Sequence, residues 1–117
     1  MKTRNCPVKP SIRERDLLSS QQAGNLEELF QVLASDTRLK LLHALIKEKE
    51  LCVSEISERL EMKPQAISNQ LQRLSDRAIL ASRRDGNQIF YRVIDPCVSE
   101  LIDLGLCLLE DFERKQP

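Results

Sequence analysis

Two short apolar stripes at helical spacing, separated by a proline and followed by an Asp-Gly pair, constrain this chain most. Val53, Ile56 and Leu60 share one face of a helix over about 53–60, and Met62–Lys63–Pro64 interrupts it. Pro64 suits the first turn of a second helix, whose inward stripe is Ile67, Leu71 and Leu74. Two short helices across a tight break form a helix-turn-helix. The strand-like runs Ile79–Arg83 and Gln88–Val93 then flank Arg84–Asp85–Gly86–Asn87, where Asp-Gly accommodates the positive φ of a hairpin. A hairpin placed there is a wing.

The flanking segments supply the rest of a mainly α, winged helix-turn-helix fold. Leu26, Leu29, Phe30 and Leu33 predict an amphipathic helix over 24–34. Ser35 or Asp36 caps a second helix, with Leu39, Leu42, Ala44, Leu45 and Ile46 on its buried side and His43 placed in the core. Asp95 and Pro96 open a long helix running to about Arg114. That helix is apolar around much of its circumference, from Val98 through Leu109 to Phe112. With 117 residues the chain has one modest core and no second one to cover such a helix, so a homodimer through the terminal helices is expected. Residues 1–20, with Pro7, Pro10 and basic side chains, read as a flexible arm with a short helical stretch near 12–18; residues 21–117 read as the winged domain.

The net charge is zero, but it is unevenly distributed. Residues 63–92 hold six basic and two acidic side chains, whereas residues 93–117 hold two basic and six acidic. A basic stretch coinciding with the helix-turn-helix and wing points to a nucleic acid. On the second short helix, Gln65, Ser68, Asn69 and Gln70 are the candidate base readers. Lys63, Arg73, Arg83, Arg84 and Arg92 are candidates for phosphate or minor-groove contact. A winged helix serving only protein association is the alternative from another class. An enzyme is not indicated: the chain has one histidine, no glycine-rich phosphate loop and no nucleophile with an evident base. The absence of an apolar run near 18 residues, and of a secretory h-region, leads to an expectation of no membrane and a cytoplasmic location. There the four cysteines, Cys6, Cys52, Cys97 and Cys107, are buried hydrophobes, metal ligands or redox sensors rather than structural disulfides.

Four blocks in order resemble the ArsR/SmtB family of repressors: residues 30–39 (FQVLASDTRL), 50–56 (ELCVSEI), 66–74 (AISNQLQRL) and 83–92 (RRDGNQIFYR). The resemblance covers roughly 26–113 and implies a homodimer on an inverted-repeat operator, released by a thiophilic metal inducer. In metal-sensing members the box cysteine, here Cys52, joins a cysteine of the arm, here Cys6, and Glu55 stands where an acidic box residue adds an oxygen. Ser54 replaces the second box cysteine of many relatives. A second family site on the terminal helix matches Asp95 and Cys97, with Cys107 and Glu110 shifted by one position from its second pair. Thiolates favour soft ions, so Cd, Pb, Zn, Hg or arsenite is the expected class of inducer. A thiol-redox or persulfide switch on the same fold is the alternative.

Overall fold

The computed structural model describes residues 9–115, with side chains described for 9–113. Cys6 therefore lies outside the described residues. Along the chain run α1 (Ser20–Leu33), α2 (Asp36–Glu48), β1 (Leu51–Cys52), α3 (Val53–Leu60), α4 (Pro64–Asp76), β2 (Leu80–Asp85), β3 (Gln88–Val93) and α5 (Pro96–Lys115).

Local chemistry sets the helix boundaries. Ser19 accepts from the Gln22 N–H, and Gln22 Oε1 accepts from the Ser19 N–H at 2.9 Å. This reciprocal cap starts α1 four residues earlier than its apolar stripe suggests. Between residues 12 and 18 only one turn forms, closed by the Glu14 and Arg15 N–H groups on the Ser11 carbonyl. Ser35 caps α2 by accepting from the Arg38 N–H. Between α3 and α4, Glu61 takes the left-handed conformation (φ 53°), and the Met62 N–H returns to the Ser57 carbonyl. Asp95 accepts the Cys97 N–H at 2.9 Å, and Pro96 opens α5.

The hairpin has Asp85 opposite Gln88, a two-residue loop with Gly86 at φ 64°. The loop is tighter than the four residues expected, because the strand continues through Arg84 and Asp85. The expected wing of two strands gains a third. β1 pairs with β3 in the order β1-β3-β2, with Leu51 opposite Tyr91 and Cys52 opposite Phe90.

The core gathers Leu41, Leu42 and Leu45 of α2, Ile56 of α3, and Ile67, Leu71 and Leu74 of α4. Leu33, Leu51, Ile79, Leu80 and Val98 close it. Two expectations for it change. Leu26 and Phe30 of α1 and Leu39 of α2 remain exposed in the single chain, as do Leu104, Leu106, Leu108, Leu109 and Phe112 of α5. His43 is also exposed: it follows Leu39 by one turn, on the side of α2 away from Leu41, Leu42 and Leu45. Both line an open apolar groove with Phe30, Leu101, Leu106 and Leu109.

Candidate nucleic-acid interface and cysteine sites

Because Ile67, Leu71 and Leu74 anchor α4 inward, its opposite side is presented to solvent. Gln65, Asn69, Gln72 and Arg73 are exposed there, and Ser68 is half-buried. Gln65 Nε2 donates to Asn69 Oδ1 at 3.1 Å, and Gln72 Nε2 donates to Asp76 Oδ1 at 2.8 Å. Lys63 is exposed at the residue preceding the helix. Gln70, half-buried like Ser68, differs in its partner: its Oε1 accepts from Arg38 Nη1 at 2.9 Å.

The wing arginines separate in the same way. Arg83 forms a two-pronged ion pair with Glu50 at 2.8 and 2.6 Å. Its guanidinium also stacks over the Phe90 ring, 4.8 Å from the centroid. The Arg83 hydrogen bond holds the Glu50 carboxyl below the usual carboxylate range, and Glu50 in turn raises the Arg83 guanidinium. Arg84, next in the strand, points to the opposite face of the ribbon and is exposed, as is Arg92. Besides Arg83, which a carboxylate already matches, the exposed basic residues of α4, its N-cap and the wing are Lys63, Arg73, Arg84 and Arg92; the register puts Arg92 on the Arg83 face of the ribbon and Arg84 on the other. Glu50, Phe90 and Arg38 lie within the family blocks but carry no site role in the sequence; the apolar neighbours of Arg38 are the one hint of its burial.

Cys52 is 4% exposed, at the junction where β1 ends and α3 begins. Its Sγ lies 3.2 Å from Ser54 Oγ. The Cys52 N–H donates to Glu55 Oε1 at 3.0 Å, and that bond keeps the Glu55 carboxyl low. One oxygen of Glu55 is thus committed to capping α3. On α5, Cys97 is half-buried and is not among the free thiols, whereas Cys107 is free and exposed, 4.0 Å from Asp111 Oδ2. Glu110 is exposed and Asp95 caps the helix. Ten residues of helix put Cys97 and Cys107 about 15 Å apart within one chain. Among the described residues, no three histidine, cysteine or carboxylate side chains converge as a metal site. The described donors around Cys52 are one thiol, one hydroxyl and a partly committed carboxylate, which do not complete a thiolate-rich site. No helix among the described residues is long and apolar enough to cross a membrane.

A buried helix-turn-helix with a polar outer face, followed by a basic two-stranded wing, defines a winged-helix DNA-binding protein. Residues 35–79 match the family model described as bacterial regulatory protein, arsR family. A cadmium resistance transcriptional regulatory protein of Listeria innocua serovar 6a is 27% identical over 99 residues, spanning 85% of this chain and 83% of that protein. The solved structure of the AntR antimony-specific transcriptional repressor superposes with a TM-score of 0.78 at 55% identity, covering 94% of this chain and 99% of that one. The homodimeric winged helix-turn-helix DNA-binding domain of a possible ArsR-family regulator from Mycobacterium bovis is 25% identical, with a TM-score of 0.66 and coverage of 83% and 92%. The chain belongs to the ArsR family of bacterial transcriptional regulators, and it is a repressor-type DNA-binding protein rather than an enzyme.

Proposed function

We propose that the protein is a homodimeric, cytoplasmic repressor that leaves an inverted-repeat operator when a thiophilic metal or metalloid ion binds its cysteines. Residues 21–117 form the DNA-binding and dimerising domain, and residues 1–20 form the arm that carries Cys6. Gln65, Ser68 and Asn69 read base edges, while Lys63, Arg73, Arg84 and Arg92 meet phosphates or the minor groove. The observation that carries the inducer reading is the position of Cys52, whose strand pairs with the wing strand β3 and whose next residue begins α3. A ligand held there touches the wing sheet and the first helix of the helix-turn-helix at once. Cys6, or a thiol of the second subunit, completes the donor set, and Glu55 has one oxygen to add.

The 55% identity to an antimony-specific repressor and the likeness to a cadmium regulator favour soft ions, trivalent antimony or arsenic among them. A redox switch is the second reading, favoured because Cys97 is not a free thiol. Fluorescence anisotropy on the protein's own promoter DNA tests both. Antimonite, arsenite, Cd, Pb, Zn, Hg and then a thiol oxidant are titrated into wild type, Cys6→Ser/Cys52→Ser and Cys97→Ser/Cys107→Ser. Release by an ion that the first double variant abolishes is the expected result. Release by the oxidant alone establishes the redox reading, and no binding to promoter DNA under any condition refutes the repressor reading.

A further inference from the structure

Among the described residues, Arg38 is the one buried charged side chain, at 8% exposure. Its guanidinium donates in three directions. Nε meets the Val32 carbonyl, Nη2 meets the Gln31 carbonyl at 3.3 Å, and Nη1 meets Gln70 Oε1 at 2.9 Å. Gln31 and Val32 lie in the last turn of α1, where the helix dipole is negative and the Gln31 carbonyl also accepts the Ala34 N–H at 3.3 Å. Gln70 lies in the middle of α4, between the exposed Asn69 and the buried Leu71. Arg38 thus connects the end of α1, whose Leu26 and Phe30 face is open, to the helix that carries the candidate base readers.

A guanidinium is a rigid planar fork, and a buried one must have its donors matched. Rotating α4 against α1 would pull Gln70 off Nη1 while the two α1 carbonyls held the other donors in place. We infer that Arg38 and Gln70 form a strut that sets the angle of α4 against α1, and that Gln70 acts in operator binding through Arg38 rather than on a base. This rests on the reading that α4 faces DNA. Arg38 and Gln70 are accordingly positioning residues. With the Gln70 amide oxygen held by Arg38, recognition falls to the exposed Gln65 and Asn69 and the half-buried Ser68.

Operator affinity, dimerisation and thermal midpoint are measured for Gln70→Leu, Gln70→Glu, Arg38→Met and the Arg38→Met/Gln70→Leu double variant. Gln70→Leu is expected to bind about tenfold more weakly, the consequence of losing one charge-assisted hydrogen bond. Gln70→Glu, which retains an acceptor for Arg38, returns to within about threefold of wild type. The double variant binds no more weakly than the weaker single one, because the two residues act as one unit. Across operators altered one base pair at a time, Gln70→Leu weakens all to a similar degree. Selective loss of discrimination at one base position would make Gln70 a reader and overturn the strut, as would wild-type binding by Gln70→Leu. If Arg38→Met does not fold, the Gln70 pair decides alone. Asn69→Ala and Arg73→Ala serve as the separate check: unchanged binding by both refutes the placement of α4 on DNA rather than the strut.

Discussion

Replacing Leu109 by alanine tests whether the open groove beside α5 is where two copies meet. Leu109 is 54% exposed in the single chain and lines the groove with Phe30, Leu39, Leu101 and Leu106. The substitution removes three carbons, worth about 2.4 kcal/mol if fully transferred from water at ~0.8 kcal/mol per methylene. Slightly more than half of that surface remains to be buried on dimerisation, or about 1.3 kcal/mol per subunit. A two-fold interface contains the residue twice, so the dimer loses about 2.6 kcal/mol, a rise in dissociation constant of about two orders of magnitude. Alanine is the best helix former, so α5 itself is not weakened. Sedimentation equilibrium over a dilution series, with circular dichroism as the control on folding, reads the effect. An unchanged dimer dissociation constant with intact helicity would refute the placement of this face in the interface.

Glu50 and Glu55 have depressed carboxyl groups in the folded chain, so their contribution is present above the ordinary carboxylate value and is lost as pH falls below it. Urea unfolding from pH 7 down to about pH 3 should therefore show stability falling below about pH 4.3, with a shallower decline in Glu50→Gln. Gly86→Ala should destabilise the protein by about 1–2 kcal/mol from backbone strain alone, because the added methyl meets nothing within 4 Å, and thermal unfolding checks it. In operator titrations against salt, Arg84→Ala should lower the slope of log affinity by about 0.9, the share of one phosphate. Arg83→Ala should change that slope less, since Arg83 is matched by Glu50.

The order of elements was legible because their periods are long enough to read, and the residues that organise the site were less so. Ile67, Leu71 and Leu74 mark α4 by spacing, and Asp85–Gly86 marks the hairpin by its backbone requirement. β1 was not anticipated: two residues cannot display an alternation of period two, and their pairing depends on a strand nearly forty positions away. The stripe of α1 was visible, but spacing does not tell whether an apolar face meets its own chain or another, and Leu26 and Phe30 are open here. Gln70 is half-buried against Arg38, and it stands three residues after Ile67 and four before Leu74, on the edge of the inward stripe. That spacing was the available signal. Arg38 gave only its apolar neighbours as a hint, since the partners of a buried guanidinium are carbonyls and an amide brought to it by other helices.

The strand order β1-β3-β2 leaves β3 paired on both sides and β2 as an open border of the sheet. Such a border is a template on which a stray strand from another molecule can grow into an aggregate. From Ser82 to Asp85 it is exposed and carries Arg83, Arg84 and Asp85 in succession. An incoming strand would have to bury these charges, so the wing protects itself from uncontrolled assembly with some of the same arginines that enrich it in positive charge. Neutralising them to weaken DNA binding would thus also lower the solubility of the free protein.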